Sequence, residues 1–140
     1  MGMTIELAML LATTILAASL WIPYIVGVNT TAYGGDHDTF VRPPDQRLME
    51  PWVHRAHRAH LNMIEQFVPF AVIVLLAHQL GVSNVWTVGC AVAFFVVRAV
   101  HAWGMIGGWA RFPLRPTLFT LGWVVTVIYA IAVMSNAAWA

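Results

Sequence analysis

Four stretches of this chain are each apolar for about twenty residues, the length that crosses a bilayer as a helix. They run over about 5–27, 54–80, 84–107 and 114–135. Hydrocarbon offers no water to backbone N–H and C=O groups, so such a segment must close its hydrogen bonds within itself. Composition agrees: 60% of the 140 residues are hydrophobic and 9% charged, where soluble domains run near a quarter charged. The expected fold class is therefore all-α, an integral membrane four-helix bundle forming a single domain over 1–140.

The first span has no basic segment before it, its only early charge is Glu6, and its length suits a retained helix better than a signal peptide. A polar loop over about 28–52 follows, with "YGGDHDTF" and "RPPDQ". Gly81 is placed to end the second helix. The lone cysteine, Cys90, sits in an apolar run as a packing residue and excludes an intramolecular disulfide. A net charge of +1 gives no basis for a nucleic-acid partner, and the Trp residues near span ends read as an aromatic belt.

All seven basic residues are Arg, and they are unevenly placed. Arg42, Arg47, Arg55 and Arg58 flank the first loop, Arg111 and Arg115 lie in the third connection, and Arg98 lies inside the third span towards that side. Positive-inside reasoning puts this side in the cytoplasm and both termini on the other.

The stretch "HRAHRAHLNMIEQFVP", 54–69, concentrates ionisable groups at the mouth of the second span. At about 100° per residue, Arg55, Arg58, Asn62, Glu65 and Pro69 fall within a stripe roughly 80° wide. Glu65 lies well inside the span, where a lone carboxylate is costly and needs an Arg or a wet cleft. Arg98, on a neighbouring helix or chain, is a candidate partner. Pro69 is placed to kink the helix or bend it for packing. One reading of the stripe is a polar seam joining helices. The other is an anion site, with Arg clamping carboxylates and Glu65 receiving an ammonium. Arg98 and His101 share a face of the third span, and Arg115 opens the fourth. So many charges at one depth are more simply housed in clefts between subunits of an oligomer.

Other chemistries fit less well. His54, His57 and His60 spread over about 120° of helix, too wide for three ligands of one ion. A haem between His60 and His101 would place the iron among arginines.

At "RAHLNMIEQFVPF", 58–70, the sequence resembles the second-helix motif of the MAPEG family, the membrane-associated proteins of eicosanoid and glutathione metabolism. It looks most like the microsomal glutathione transferases and microsomal prostaglandin E synthase. "RAVHAWGMIGG" and "RFPLRP" extend the likeness. The resemblance implies a homotrimer with glutathione in clefts between subunits, open to the cytoplasm. It implies glutathione contacts for Arg58, Asn62 and Glu65, for His101, for Arg98, and at lower rank for His60, which lies off the stripe. It implies that Arg115 sits beside the glutathione sulfur and promotes thiolate formation. Two positions where the family places Tyr and Ser are Met105 and Pro116 here, and the family's Arg near the end of the first helix has no counterpart unless Arg42 or Arg47 substitutes. These changes count against isomerase chemistry.

The function expected is a membrane-bound glutathione transferase, extending to hydroperoxide reduction, with glutathione as co-substrate and a lipophilic small molecule arriving from the bilayer. It would be a multi-pass protein of a bacterial inner membrane. The alternative is a non-catalytic binding or scaffold protein of the same fold, since the family includes one. A small transporter, or a trimer in which the stripe is only helix glue, is a third.

Overall fold

The computed structural model describes residues 2–30 and 45–138. Arg42 and most of the first loop lie outside them. Among the described residues the chain is helical, with no strand: α1 (Ile5–Ser19), α2 (Trp21–Thr30), a 3-10 turn (Gln46–Leu48), α3 (Pro51–Gln79), α4 (Val85–Gly107) and α5 (Leu114–Asn136). Four segments are long and apolar enough to cross a membrane: Ile5–Thr30, Pro51–Gln79, Val85–Gly107 and Leu114–Asn136.

The first span is two helices rather than one, broken at Leu20. Pro23 explains the break. It has no N–H for the carbonyl of Ser19, four residues back, and its ring crowds that carbonyl. The second span starts at Pro51, earlier than 54, because proline suits the first helical position, where the N–H has no partner. This helix then continues through Pro69 to Gln79.

Turns between spans are short and chemically specified. Past the α3 C-cap, Leu80, Gly81 takes φ 68, which only glycine adopts freely. The next two amides close back onto the helix, Gly81 N–H to His78 O at 3.2 Å and Val82 N–H to Ala77 O at 2.9 Å, the paired bonds of a Schellman end. Asn84 then caps α4, accepting from Trp86 N–H at 2.9 Å and Thr87 N–H at 3.2 Å, while Thr87 Oγ1 accepts from Asn84 N–H at 2.9 Å. This reciprocal pattern is a capping box with Thr in the usual Glu position.

The core lies among α3, α4 and α5. Phe70 and Phe94 stack with centroids 3.7 Å apart, and Tyr129 meets Phe70 edge-on at 5.9 Å. Leu11, Val72, Val96 and Ile131 point outward and are exposed, the face a lipid-embedded bundle presents. In that setting close packing and polar contacts hold helices together more than apolar burial does. The bundle has two distinct ends. One gathers the start of α3, the end of α4 and the start of α5. The other gathers the start of α1, the α3–α4 turn and the end of α5.

Candidate functional site

The first of these ends holds an open cleft of about 700 Å³. The start of α3 contributes Arg55, Arg58 and Asn62, α4 contributes His101, and the α4–α5 connection and the start of α5 contribute Arg111 and Arg115. Phe112, Pro116 and Phe119 supply apolar wall. Among the described residues, four guanidinium groups therefore face one cavity and no carboxylate lines it.

Two of the arginines are anchored. Arg55 Nη2 donates to Ile106 O at 3.5 Å, and Arg111 Nε donates to Gly108 O at 3.3 Å. Both acceptors are carbonyls at the α4 C-terminus, where the helix dipole is negative and favours cations. Arg58 and Arg115 are exposed, and their side chains make no hydrogen bond or ion pair to another described residue. They are therefore available to a ligand without breaking an existing contact.

The cleft floor is polar and buried. His101 is fully buried, with both ring nitrogens lacking a hydrogen-bond partner, and its ring lies 6.1 Å from that of Phe119. Buried donors and acceptors are nearly always paired, so this imidazole is set up for something that enters the cleft. Asn62 turns its amide to Met105, with Nδ2 donating to Sδ at 3.4 Å.

Behind the floor lies Arg98, also fully buried. Its Nη2 donates to the backbone carbonyl of Asn62 at 2.7 Å and its Nη1 to Gln66 Oε1 at 3.3 Å, with the Phe119 ring 5.9 Å away. Gln66 in turn donates from Nε2 to Phe119 O at 2.8 Å. One buried cation thus ties α3 to α4, and one amide ties α3 to α5. Gly122 makes room for the knot. A Cβ there would collide with Gln66 Oε1 and lie 3.3 Å from Arg98 Cδ.

Of the seven residues singled out from sequence, Arg58, Asn62, His101 and Arg115 line the cleft together. Arg98 does not. Its hydrogen bonds go to Asn62 and Gln66 rather than to Glu65. Glu65 is exposed on the outer face of α3 and Pro69 beside it, neither in the cleft. The stripe splits because Glu65 sits about 60° around the helix from Asn62, past the cleft edge. Gln66, about 100° further round, faces inward instead. His60 is half-buried outside the cleft, its Nδ1 without a partner. Sequence reading underweighted Arg55 and Arg111 and missed Gln66 and Phe119. The Arg signal was visible, whereas an amide and a phenyl carry none.

No curated protein matches the chain. The MAPEG family model matches residues 8–135, across all four spans, and the chain belongs to the MAPEG family.

Proposed function

We propose that the protein is a membrane-bound glutathione transferase that joins the glutathione sulfur to lipophilic electrophiles. Family membership supports glutathione-linked transferase or isomerase chemistry at a membrane in general. The observation that carries the finer reading is the arginine cleft, which among the described residues has four guanidinium groups and no lining carboxylate. Glutathione has two carboxylates, an ammonium and a thiol, and becomes more anionic as the thiol ionises.

In this reading Arg55, Arg58 and Arg111 hold the carboxylates. Hydrogen bonds to charged groups are each worth about 1.5–3 kcal/mol, though contacts open to water fall towards the lower end. Asn62 and His101 orient the peptide from the floor, and Arg98 keeps Asn62 in place from behind. Arg115 lies beside the sulfur. A free thiol with pKa about 8.5 is only about 3% thiolate at neutral pH. A guanidinium next to the sulfur favours the anion and enlarges that fraction. The thiolate then attacks the electrophilic carbon, forming the C–S bond as the leaving group departs with its electron pair. The electrophile enters from the bilayer along the apolar rim, where Phe112 is 89% exposed.

Glu65 and its exposed face fit an assembly in which a neighbouring copy covers them, as in the proposed homotrimer. There Glu65 would receive the ligand's ammonium. The cleft end would face the cytoplasm, following the arginine distribution.

Calorimetry with glutathione in nanodiscs, followed by conjugation of a chloronitrobenzene and ultraviolet detection of bound thiolate near pH 7, tests the reading. Saturable binding, turnover and thiolate absorbance are expected. Absence of glutathione binding overturns it. Binding without thiolate or turnover would identify a non-catalytic binding protein instead.

A further inference from the structure

The opposite end of the bundle holds a second cavity, about 260 Å³, between the start of α1, the α3–α4 turn and α5. Glu6 and Tyr129 form part of its wall. Glu6 is 4% exposed. Its Oε1 accepts from Thr87 Oγ1 at 2.7 Å and from Ser83 Oγ at 2.8 Å, which ties α1 to the start of α4. That structural task uses one oxygen. The other, Oε2, has no hydrogen-bond partner, and neither has the hydroxyl of Tyr129, which is fully buried. Both groups belong to the wall of this one cavity. An unmade hydrogen bond at a buried group costs about 1–3 kcal/mol, so two together at one cavity call for an occupant.

The wall chemistry selects its charge. Glu6 contributes a carboxylate, and no Arg lines the cavity. The last turn of α3 borders it through Ala77 and His78 and the N-terminus of α1 through Thr4 and Glu6, so the two opposed helix dipoles offset and the Glu6 carboxylate sets the sign. Among the described residues, His78 is the only other titratable side chain on the wall besides Glu6 and Tyr129. The occupant is therefore a cation. Calcium takes six to eight oxygen ligands and magnesium a near-ideal octahedron. Among the described residues no three His, Cys, Asp or Glu side chains gather to hold a metal. A quaternary ammonium has no N–H to donate to the two unpaired oxygens. A primary ammonium has three N–H donors and one carbon stem. Glu6 Oε2, Tyr129 Oη and a lone pair of Ser83 match the donors, and Val74, Ala77 and Val82 match the stem.

We propose that this cavity is a binding site for a primary ammonium group. Glu6 is the second residue of α1 and Ser83 lies in the α3–α4 turn, so the cavity sits at the membrane boundary. Two sources share the chemistry there: the headgroup of an aminophospholipid, and a small soluble amine.

The test uses the full chain reconstituted in membranes of equal phosphatidylethanolamine and phosphatidylcholine, with retained lipid read by native mass spectrometry. Both lipids carry the same phosphate, so preference reports the ammonium alone. The ethanolamine lipid should be retained about tenfold over the choline lipid, the factor that about 1.4 kcal/mol supplies. Glu6→Gln keeps an acceptor for Thr87 and Ser83 but removes the charge, and should abolish the preference. Tyr129→Phe should reduce it by a smaller factor, and decides the matter if Glu6→Gln does not fold. A parallel titration with ethylammonium in pure phosphatidylcholine nanodiscs separates the sources: lipid preference without ethylammonium binding assigns the headgroup, and saturable binding admits the soluble amine. Equal retention of both lipids with no ethylammonium binding overturns the proposal, as does a folded Glu6→Gln protein that keeps the preference.

Discussion

Among the described residues, four arginines and no carboxylate line a cleft at one end of the bundle; at the other, one carboxylate and a phenol, and no arginine, border a cavity. The two ends also divide labour differently. At the arginine end, the buried knot that holds the helices together and the two unanchored arginines of the cleft are separate residues, with Arg55 alone among the cleft arginines joining α3 to α4. Arg98 and Gln66 bind the helices, while the side chains of Arg58 and Arg115 make no hydrogen bond or ion pair to another described residue. At the carboxylate end, both tasks fall to the two oxygens of Glu6. The arginine end should therefore tolerate loss of ligand contacts without losing its fold, and the carboxylate end should be more sensitive to its supporting hydroxyls.

The largest expected effect is at Arg115. Arg115→Ala should lower the conjugation rate about 10²-fold, the scale of removing one group that stabilises a developing anion, and leave the melting temperature nearly unchanged. Full turnover in that variant would remove Arg115 from the chemistry. Next comes Arg58→Ala, which should weaken glutathione binding about tenfold or more. Maximal turnover should change far less, a split that steady-state kinetics resolves. Unchanged affinity would place the carboxylate clamp elsewhere. Across the bundle, Thr87→Val removes a buried donor to Glu6 and half of the α4 capping box. It should cost about 1–3 kcal/mol of stability, read as an earlier thermal transition. If Arg115→Ala destabilises more than Thr87→Val, the contrast between the ends fails. A pair of glycine variants, the second with the smallest effect of all, sharpens the role of the Arg98 knot. Gly122→Ala should destabilise by roughly 1–3 kcal/mol through overpacking. Gly89→Ala, where an added Cβ meets nothing within 4 Å, should be neutral or stabilising by up to about 1 kcal/mol.

The spans were legible because twenty apolar residues admit few structures. Their edges were less so, since Pro23 and Pro51 act through local backbone sterics that a hydropathy window averages away. Arg58, Asn62, His101 and Arg115 were legible as a site because charge inside an apolar segment is conspicuous. Helical periodicity alone put Glu65 on the same stripe. What it lacked was the position of the cleft edge, which depends on how α4 and α5 sit against α3. The same missing register hid the partners of Arg98, which lie 36 and 32 positions away at Asn62 and Gln66. It also hid those of Glu6, 81 and 77 positions away at Thr87 and Ser83. A lone acidic residue near a terminus reads as solvated until its oxygens are located.

The break at Leu20 changes how the first span meets the bilayer. At 1.5 Å per residue, the 15 residues of α1 rise about 22 Å, short of a hydrocarbon layer of about 30 Å. Neither rod crosses alone, and the joint falls within the apolar layer. The two rods also seat differently, α1 against both α3 and α4, α2 mainly against α3. The other three spans are each an unbroken helix, and the described residues of the arginine cleft all come from those three and the α4–α5 connection, none from the jointed span.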